Sequence, residues 1–175
     1  FRSTDLLCFG DYKEKYSNKS PVILWNHRWE YDKNPEDFFS VLSRLKKNGF
    51  DFKVVVLGRK YSRYPEVFDK AKDELSDNII HFGYCDKYSD YCKYLWMADF
   101  LPVTSIQEYF GISVIEAVFC NTIPILPNRL SYPELYNIEE SPDLFYKDRD
   151  DLYRNLKRKI NDFRKFSRRN TFHSN

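Results

Sequence analysis

Apolar residues along the chain fall into short runs set between longer segments of mixed polarity. The runs are Val22-Ile23-Leu24-Trp25, Phe52-Lys53-Val54-Val55-Val56-Leu57, Asn78-Ile79-Ile80-His81-Phe82, Phe100-Leu101-Pro102-Val103 and Thr122-Ile123-Pro124-Ile125-Leu126. Runs of this length read as strands, and the segments between them carry helix signals. Asn34 is placed to cap Pro35-Glu36-Asp37, with proline at the first helical position, and that helix closes at Asn48-Gly49. Tyr64-Pro65-Glu66 opens a second helix and Lys87 or Ser89 a third. From Ile112 to Cys120 the apolar residues 112, 114, 115, 118 and 119 suit a buried helix. Tyr132-Pro133-Glu134 starts a short turn, and Leu144-Phe145-Tyr146 reads as a sixth, edge strand. The last segment, from Asp148 to about Arg168, is a charged amphipathic helix with Leu152, Leu156, Ile160 and Phe163 on one stripe, too few apolar positions for a central element. Strands alternating with helices predict an α/β fold around a doubly wound parallel sheet, spanning residues 21–168 between a peripheral segment 1–20 and a tail 169–175.

Composition narrows this picture. At 175 residues the chain is one domain with room for a full core, and 42% hydrophobic with 18% aromatic residues excludes disorder. Twenty-eight basic residues against 26 acidic give a net charge of +2, which argues against a domain-wide nucleic-acid field. Cys8, Cys85, Cys92 and Cys120 form no C-x-x-C pair, and with His27, His81 and His173 scattered no zinc spacing arises. Four reduced thiols in a cytosolic protein, with no metal, is the expectation. No apolar run approaches the roughly 18 residues of a membrane span. The chain opens on Phe1 without a Met, which reads as a piece of something longer.

Candidate chemistry concentrates at the strand exits, where open α/β sheets bind ligands. Glu108 and Glu116 stand eight residues apart around Phe110-Gly111. Glu108 falls in the loop after the fourth strand and Glu116 about one turn into the next helix. Carboxylates there suit the hydroxyls of a polyhydroxylated ligand, while free N–H groups suit anionic oxygens. Both are equally readable as solvated acids favoured by the helix dipole. The first strand exits through Asn26-His27-Arg28-Trp29-Glu30-Tyr31-Asp32-Lys33-Asn34-Pro35, where Arg28 and Lys33 before a helix start would suit a diphosphate, or would be ordinary loop charges. The second strand ends at Gly58-Arg59 and the third at Gly83-Tyr84. Glycine at these points lets backbone or ligand approach closely, and Tyr84 is placed to lie along a nucleobase; a turn and a packed ring explain them too.

Taken in this order, the Arg28…Lys33 loop, the Gly83-Tyr84 position and the Glu108-x7-Glu116 motif closed by Glu116-Ala117 resemble family 4 glycosyltransferases, in the C-terminal donor-binding domain of the GT-B fold. The first loop, from Leu24 to Glu36, and Tyr132-Pro133-Glu134 are more narrowly similar to the tRNA-queuosine α-mannosyltransferase group. The resemblance covers residues 20–160. It implies a Rossmann-like half of a two-domain enzyme that transfers a hexose with retention of configuration, without a metal or other cofactor. By the same resemblance Glu116 binds the ribose, Glu108 the hexose, and Arg28 and Lys33 the diphosphate. Backbone N–H groups of Phe110, Gly111 and Ile112 reach sugar and phosphate, and Gly58, Gly83 and Tyr84 shape the nucleoside end. Arg28, Lys33 and Glu108 are then the catalytic candidates. One departure is His27 before Arg28, where many members carry glycine, and it bears on phosphate geometry.

The resemblance implies GDP-mannose as donor, queuosine-modified tRNA as acceptor, and a missing N-terminal acceptor half as partner. The basic residues Arg154, Lys157, Arg158, Lys159, Arg164, Lys165, Arg168 and Arg169 would either touch RNA phosphates or form a solvated helix crossing back onto that half. Two rival functions stand beside this one: a non-catalytic nucleotide-sugar-binding module, and a sugar-nucleotide epimerase of similar architecture.

Overall fold

A computed structural model describes residues 19–171. Of the sequence expectations, residues 1–18 with Cys8 and residues 172–175 with His173 lie outside it. The strands are β1 (Val22–Asn26), β2 (Lys53–Leu57), β3 (Ile79–Gly83), β4 (Phe100–Pro102), β5 (Ile123–Pro127) and β6 (Phe145–Tyr146). The helices are α1 (Pro35–Lys47), α2 (Val67–Glu74), α3 (Tyr88–Met97), α4 (Ile112–Phe119), α5 (Tyr132–Leu135) and α6 (Arg149–Thr171). Every strand pair is parallel, and the sheet order is β3-β2-β1-β4-β5-β6. This is the doubly wound order, in which the chain winds outward from β1 in one direction and from β4 in the other. The five predicted strands and the edge strand are all present, each within a residue or two of its expected limits.

Alternation along the strands sends Ile23, Trp25, Val54, Val56, Phe100 and Ile125 into one core and Val22, Leu24, Val55, Leu57, Leu101 and Leu126 into another. The first core is closed by α1, α2 and α6, the second by α3, α4 and α5. Helices therefore cover both faces, the requirement for a parallel sheet. Asn34 caps α1 as expected, its side chain accepting from the N–H of Asp37.

One sequence expectation changes: α4, expected to be a buried helix, leaves Ile112, Ile115 and Phe119 exposed and buries Val114 and Ala117. The stripe expected in the last helix is present: Leu152, Leu156 and Ile160 are fully buried in the first core, and Phe163 packs against it. Tyr153 and Asn155 turn inward with them, so the buried face is wider than its apolar stripe. Three basic residues of that helix form solvent-exposed ion pairs, Arg154 with Asp151 at 3.3 Å, Arg158 with Asp143 at 3.4 Å and Lys165 with Asp162 at 3.2 Å. The side chains of Arg164, Arg168 and Arg169 lie outside the described residues.

Candidate active site

The strand order reverses between β1 and β4, and there the loops on either side diverge to leave a crevice at the carboxyl ends of the strands. An open cavity of about 850 Å³ occupies it. Its walls come from four strand exits: Asn26, His27, Arg28 and Lys33 after β1; Gly58 and Arg59 after β2; Tyr84 and Asp86 after β3; Glu108, Phe110, Ile112, Ser113 and Glu116 after β4. Eight of the ten residues singled out in the sequence thus share one cavity. Gly83 and Gly111 are not among its lining residues; Gly111 is the N-cap of α4, with φ of 60°.

The loops are held from beneath by tryptophan. Trp25 Nε1 donates to the His27 carbonyl at 2.9 Å and Trp29 Nε1 to the Leu57 carbonyl at 3.1 Å, so two buried rings fix the exits of β1 and β2. Gly58 is required by this packing: a Cβ there would lie 2.5 Å from the His27 carbonyl oxygen and 2.8 Å from the Trp29 ring.

Arg28 and Lys33, alike in sequence, differ in environment. Arg28 is exposed and pairs with Glu30 at 3.2 Å. Lys33 is buried, and its Nζ lies 2.7 Å from the Gln107 carbonyl, 3.1 Å from Glu108 Oε2 and 3.1 Å from Asp32 Oδ2. An ammonium has three protons, and all three are engaged. Lys33 therefore points across the crevice to the β4 exit and not toward the start of α1; neither Asn34 nor Pro35 lines the cavity. Further bonds stitch the two loops together, from Thr104 Oγ1 to the Lys33 carbonyl and from Ile106 N–H to the Asp32 carbonyl.

Glu108 also caps the turn before α4, its Oε1 accepting from the N–H groups of Tyr109 at 3.1 Å and Gly111 at 3.3 Å. Burial alone would raise its pKa, but the Lys33 bond and charge with those two N–H groups prevail, and the carboxyl is held below its usual value. The Gly111 N–H, expected to meet a ligand, thus already serves Glu108. Of the other N–H groups expected to do so, that of Ile112 begins α4.

Glu116 lies in the second turn of α4 and accepts from the Tyr91 hydroxyl. His27 is buried, and its Nδ1 lies 3.1 Å from Ser113 Oγ while Nε2 has no partner among the described residues. Burial, with the Lys33 charge, pulls its pKa down to about 4, so the imidazole is neutral. At the far end Tyr84 is exposed, with the Arg59 guanidinium 5.5 Å from its ring centroid. Sequence reasoning passed over Asn26, Arg59, Asp86, Tyr91 and Ser113 as site residues. Asn26 and Asp86 sit at strand exits as Arg28 and Tyr84 do, whereas Tyr91 lies within α3 and gave no signal. Among the described residues no group of three His, Cys, Asp or Glu is placed to hold a metal ion, and no helix is long and apolar enough to cross a membrane.

The profile of the family described as glycosyl transferases group 1 matches residues 11–169. The chain belongs to that family. A tRNA-queuosine alpha-mannosyltransferase of Drosophila melanogaster is 34% identical over 164 residues, covering 84% of this chain but 43% of the relative. The chain thus spans less than half the length of that relative. Solved structures share the fold: TarM with TM-score 0.69 at 16% identity over 90% of this chain and 32% of its own; a glycosyltransferase from Rickettsia africae ESF-5 with 0.66 at 20% over 89% and 43%; and Anabaena Alr3699/HepE, solved with UDP, with 0.66 at 15% over 94% and 45%. The six-stranded parallel sheet is that of a GT-B glycosyltransferase half.

Proposed function

We propose that this chain is the donor-binding half of a retaining mannosyltransferase that carries mannose from GDP-mannose to queuosine-modified tRNA. The observation that carries the reading is the convergence of Arg28 and Lys33 after β1 with Glu108 and Glu116 after β4 on one cavity at the switch point of the sheet. The relative in Drosophila melanogaster, 34% identical, supports the mannosyl and tRNA parts. In this reading exposed Arg28 meets the diphosphate, and Lys33 lines the same cavity, its ammonium holding Glu108 and the β4 loop in place. Glu116 accepts from ribose hydroxyls. Glu108 accepts from the hexose through the lone pairs left by Lys33 and the two N–H groups.

By itself the chain binds the donor and transfers nothing, because transfer needs an acceptor hydroxyl held within about 3–3.5 Å of the reacting carbon in a closed site. The test is a calorimetric titration of GDP-mannose into the chain, followed by an assay of queuosine-containing tRNA for mannose with the chain and with the longer protein. Saturable binding without transfer by the chain, and transfer by the longer protein, is expected. Turnover by the chain alone refutes the half-enzyme reading. Free sugar or an isomer in place of glycosylated RNA indicates the epimerase, and binding without any turnover by the longer protein indicates the non-catalytic module.

A further inference from the structure

Glu116 is half-buried beside the cavity, and among the described residues no cation pairs with it. What holds it is a relay that starts at the end of β1. Asn26 is buried, and its Nδ2 lies 3.1 Å from the Ser113 carbonyl and 3.1 Å from the Tyr91 hydroxyl. A backbone carbonyl can only accept, so the Asn26 atom facing it must be the amide nitrogen. The second amide proton then goes to the phenol oxygen, which must direct its own proton elsewhere. That proton goes to Glu116 Oε2 at 2.5 Å. Burial, reinforced by the bond to Glu116 and the charge of that carboxylate, pushes the Tyr91 phenol far above its usual value, so it stays a donor throughout the working range of pH. The direction of the whole chain, Asn26 to Tyr91 to Glu116, is thereby set by one main-chain oxygen, and bonds aligned in this way strengthen one another.

We propose that Tyr91 is a positioning residue that holds the Glu116 carboxylate in a single orientation, leaving Oε1 and one lone pair of Oε2 for a vicinal diol. The inference rests on the nucleotide-sugar reading above and deepens it, because it makes discrimination for a 2′,3′-diol depend on a residue of the neighbouring helix. Without Tyr91 the carboxylate is free to turn toward water, and the diol must bear the cost of ordering it.

The test is titration of GDP and 2′,3′-dideoxy-GDP into the chain, its Tyr91→Phe and Glu116→Gln variants and the double variant, each checked for intact secondary structure by circular dichroism. The phenyl ring of Tyr91→Phe keeps the packing and removes only the hydroxyl. Tyr91→Phe should weaken GDP about 10-fold and leave the dideoxy ligand unchanged. The double variant should bind GDP no more weakly than Glu116→Gln alone, since Tyr91 acts through Glu116. Equal losses for both ligands, or losses in the double variant that add, would overturn the assignment while leaving the nucleotide reading in place. Failure of the unaltered chain to bind GDP or GDP-mannose would remove both.

Discussion

The two faces of the sheet are built from different materials. On the face covered by α1, α2 and α6 the core is made of rings: Trp29 stacks on Phe68 at 4.3 Å, and Trp25 meets Phe38 edge-on at 5.0 Å and Phe68 at 5.6 Å. Buried His27 meets Trp25 edge-on at 5.3 Å at its upper edge. The other face, under α3, α4 and α5, is richer in aliphatic and small side chains, with Cys92, Leu95, Val114, Ala117 and Leu126 beside the rings of Trp96, Tyr132 and Phe145. Near its upper edge lie the polar links of Asn26, Tyr91, Ser113 and Glu116. Rings with large contact area give the first face stability and a rigid floor under the β1 and β2 loops. The second face gives up such packing near the crevice, and its hydrogen bonds orient the groups that a ligand would meet. Stability and recognition are thus served by opposite sides of one sheet, and substitutions should separate them.

The largest effect expected is on the ring face. Phe68→Ala removes a fully buried ring in contact with Trp25, Trp29, Phe39 and Phe82. It should cost about 3–5 kcal/mol, read from the shift of the urea midpoint. Ligand affinity of the fraction that remains folded should fall far less than stability, the loss coming only through the Trp29 floor under the β2 exit. A variant that unfolds at the same urea concentration would show that this cluster is not where the stability lies.

A second contrast is in pH. His27 has a folded pKa of about 4 against an unperturbed 6.5, because burial and the Lys33 charge oppose protonation more than Glu108 and Asp32 favour it. Between those values the unfolded chain binds a proton that the folded chain does not, so stability is full above pH 6.5 and falls as pH drops toward 4. The loss across that window is about 3 kcal/mol. Glu108 acts in the same direction at more acid pH: its folded pKa is depressed, so its contribution is present above the unfolded value and lost as pH falls through the folded one. Urea midpoints measured from pH 7 to 4 should therefore fall, and His27→Gln should flatten the curve above the carboxylate range. A slope that His27→Gln leaves unaltered would remove the imidazole from this account.

The fold was legible in the sequence because buried parallel strands leave short apolar runs and because Asn34 before Pro35-Glu36-Asp37 combines an N-cap, a first-position proline and first-turn acids. The inward turn of Tyr153 and Asn155 was not, since their type does not reveal that α6 packs against the edge of a ring cluster. The site was legible in its charged members at strand ends, Arg28, Lys33, Glu108 and Glu116. It was not legible in Tyr91, which stands 65 residues from Asn26 and 25 from Glu116 and meets both only because α3 and β1 flank the same crevice. Nor could the sequence tell Arg28 from Lys33. Both are cations in one loop, and only the position of the β4 exit decides that one is caged.

That pair gives the smallest and sharpest prediction. Lys33→Ala deletes the ammonium that Gln107, Glu108 and Asp32 share, and the Glu108 side chain it leaves is 16% exposed. Stranding a largely buried carboxylate should cost about 2 kcal/mol of stability, below the usual figure for a fully buried pair because Asp32, 29% exposed, can turn to water. Arg28 is 61% exposed and its partner Glu30 34%, so Arg28→Ala should alter stability by no more than about 0.5 kcal/mol. Its effect belongs to the ligand: losing a charged hydrogen bond to phosphate should weaken GDP about 10-fold and leave guanosine untouched. Urea midpoints and GDP and guanosine titrations on both variants decide the matter. If the two variants lose stability alike, the cage around Lys33 does not hold the loops. If Arg28→Ala weakens guanosine as much as GDP, Arg28 supports the loop and does not meet the diphosphate.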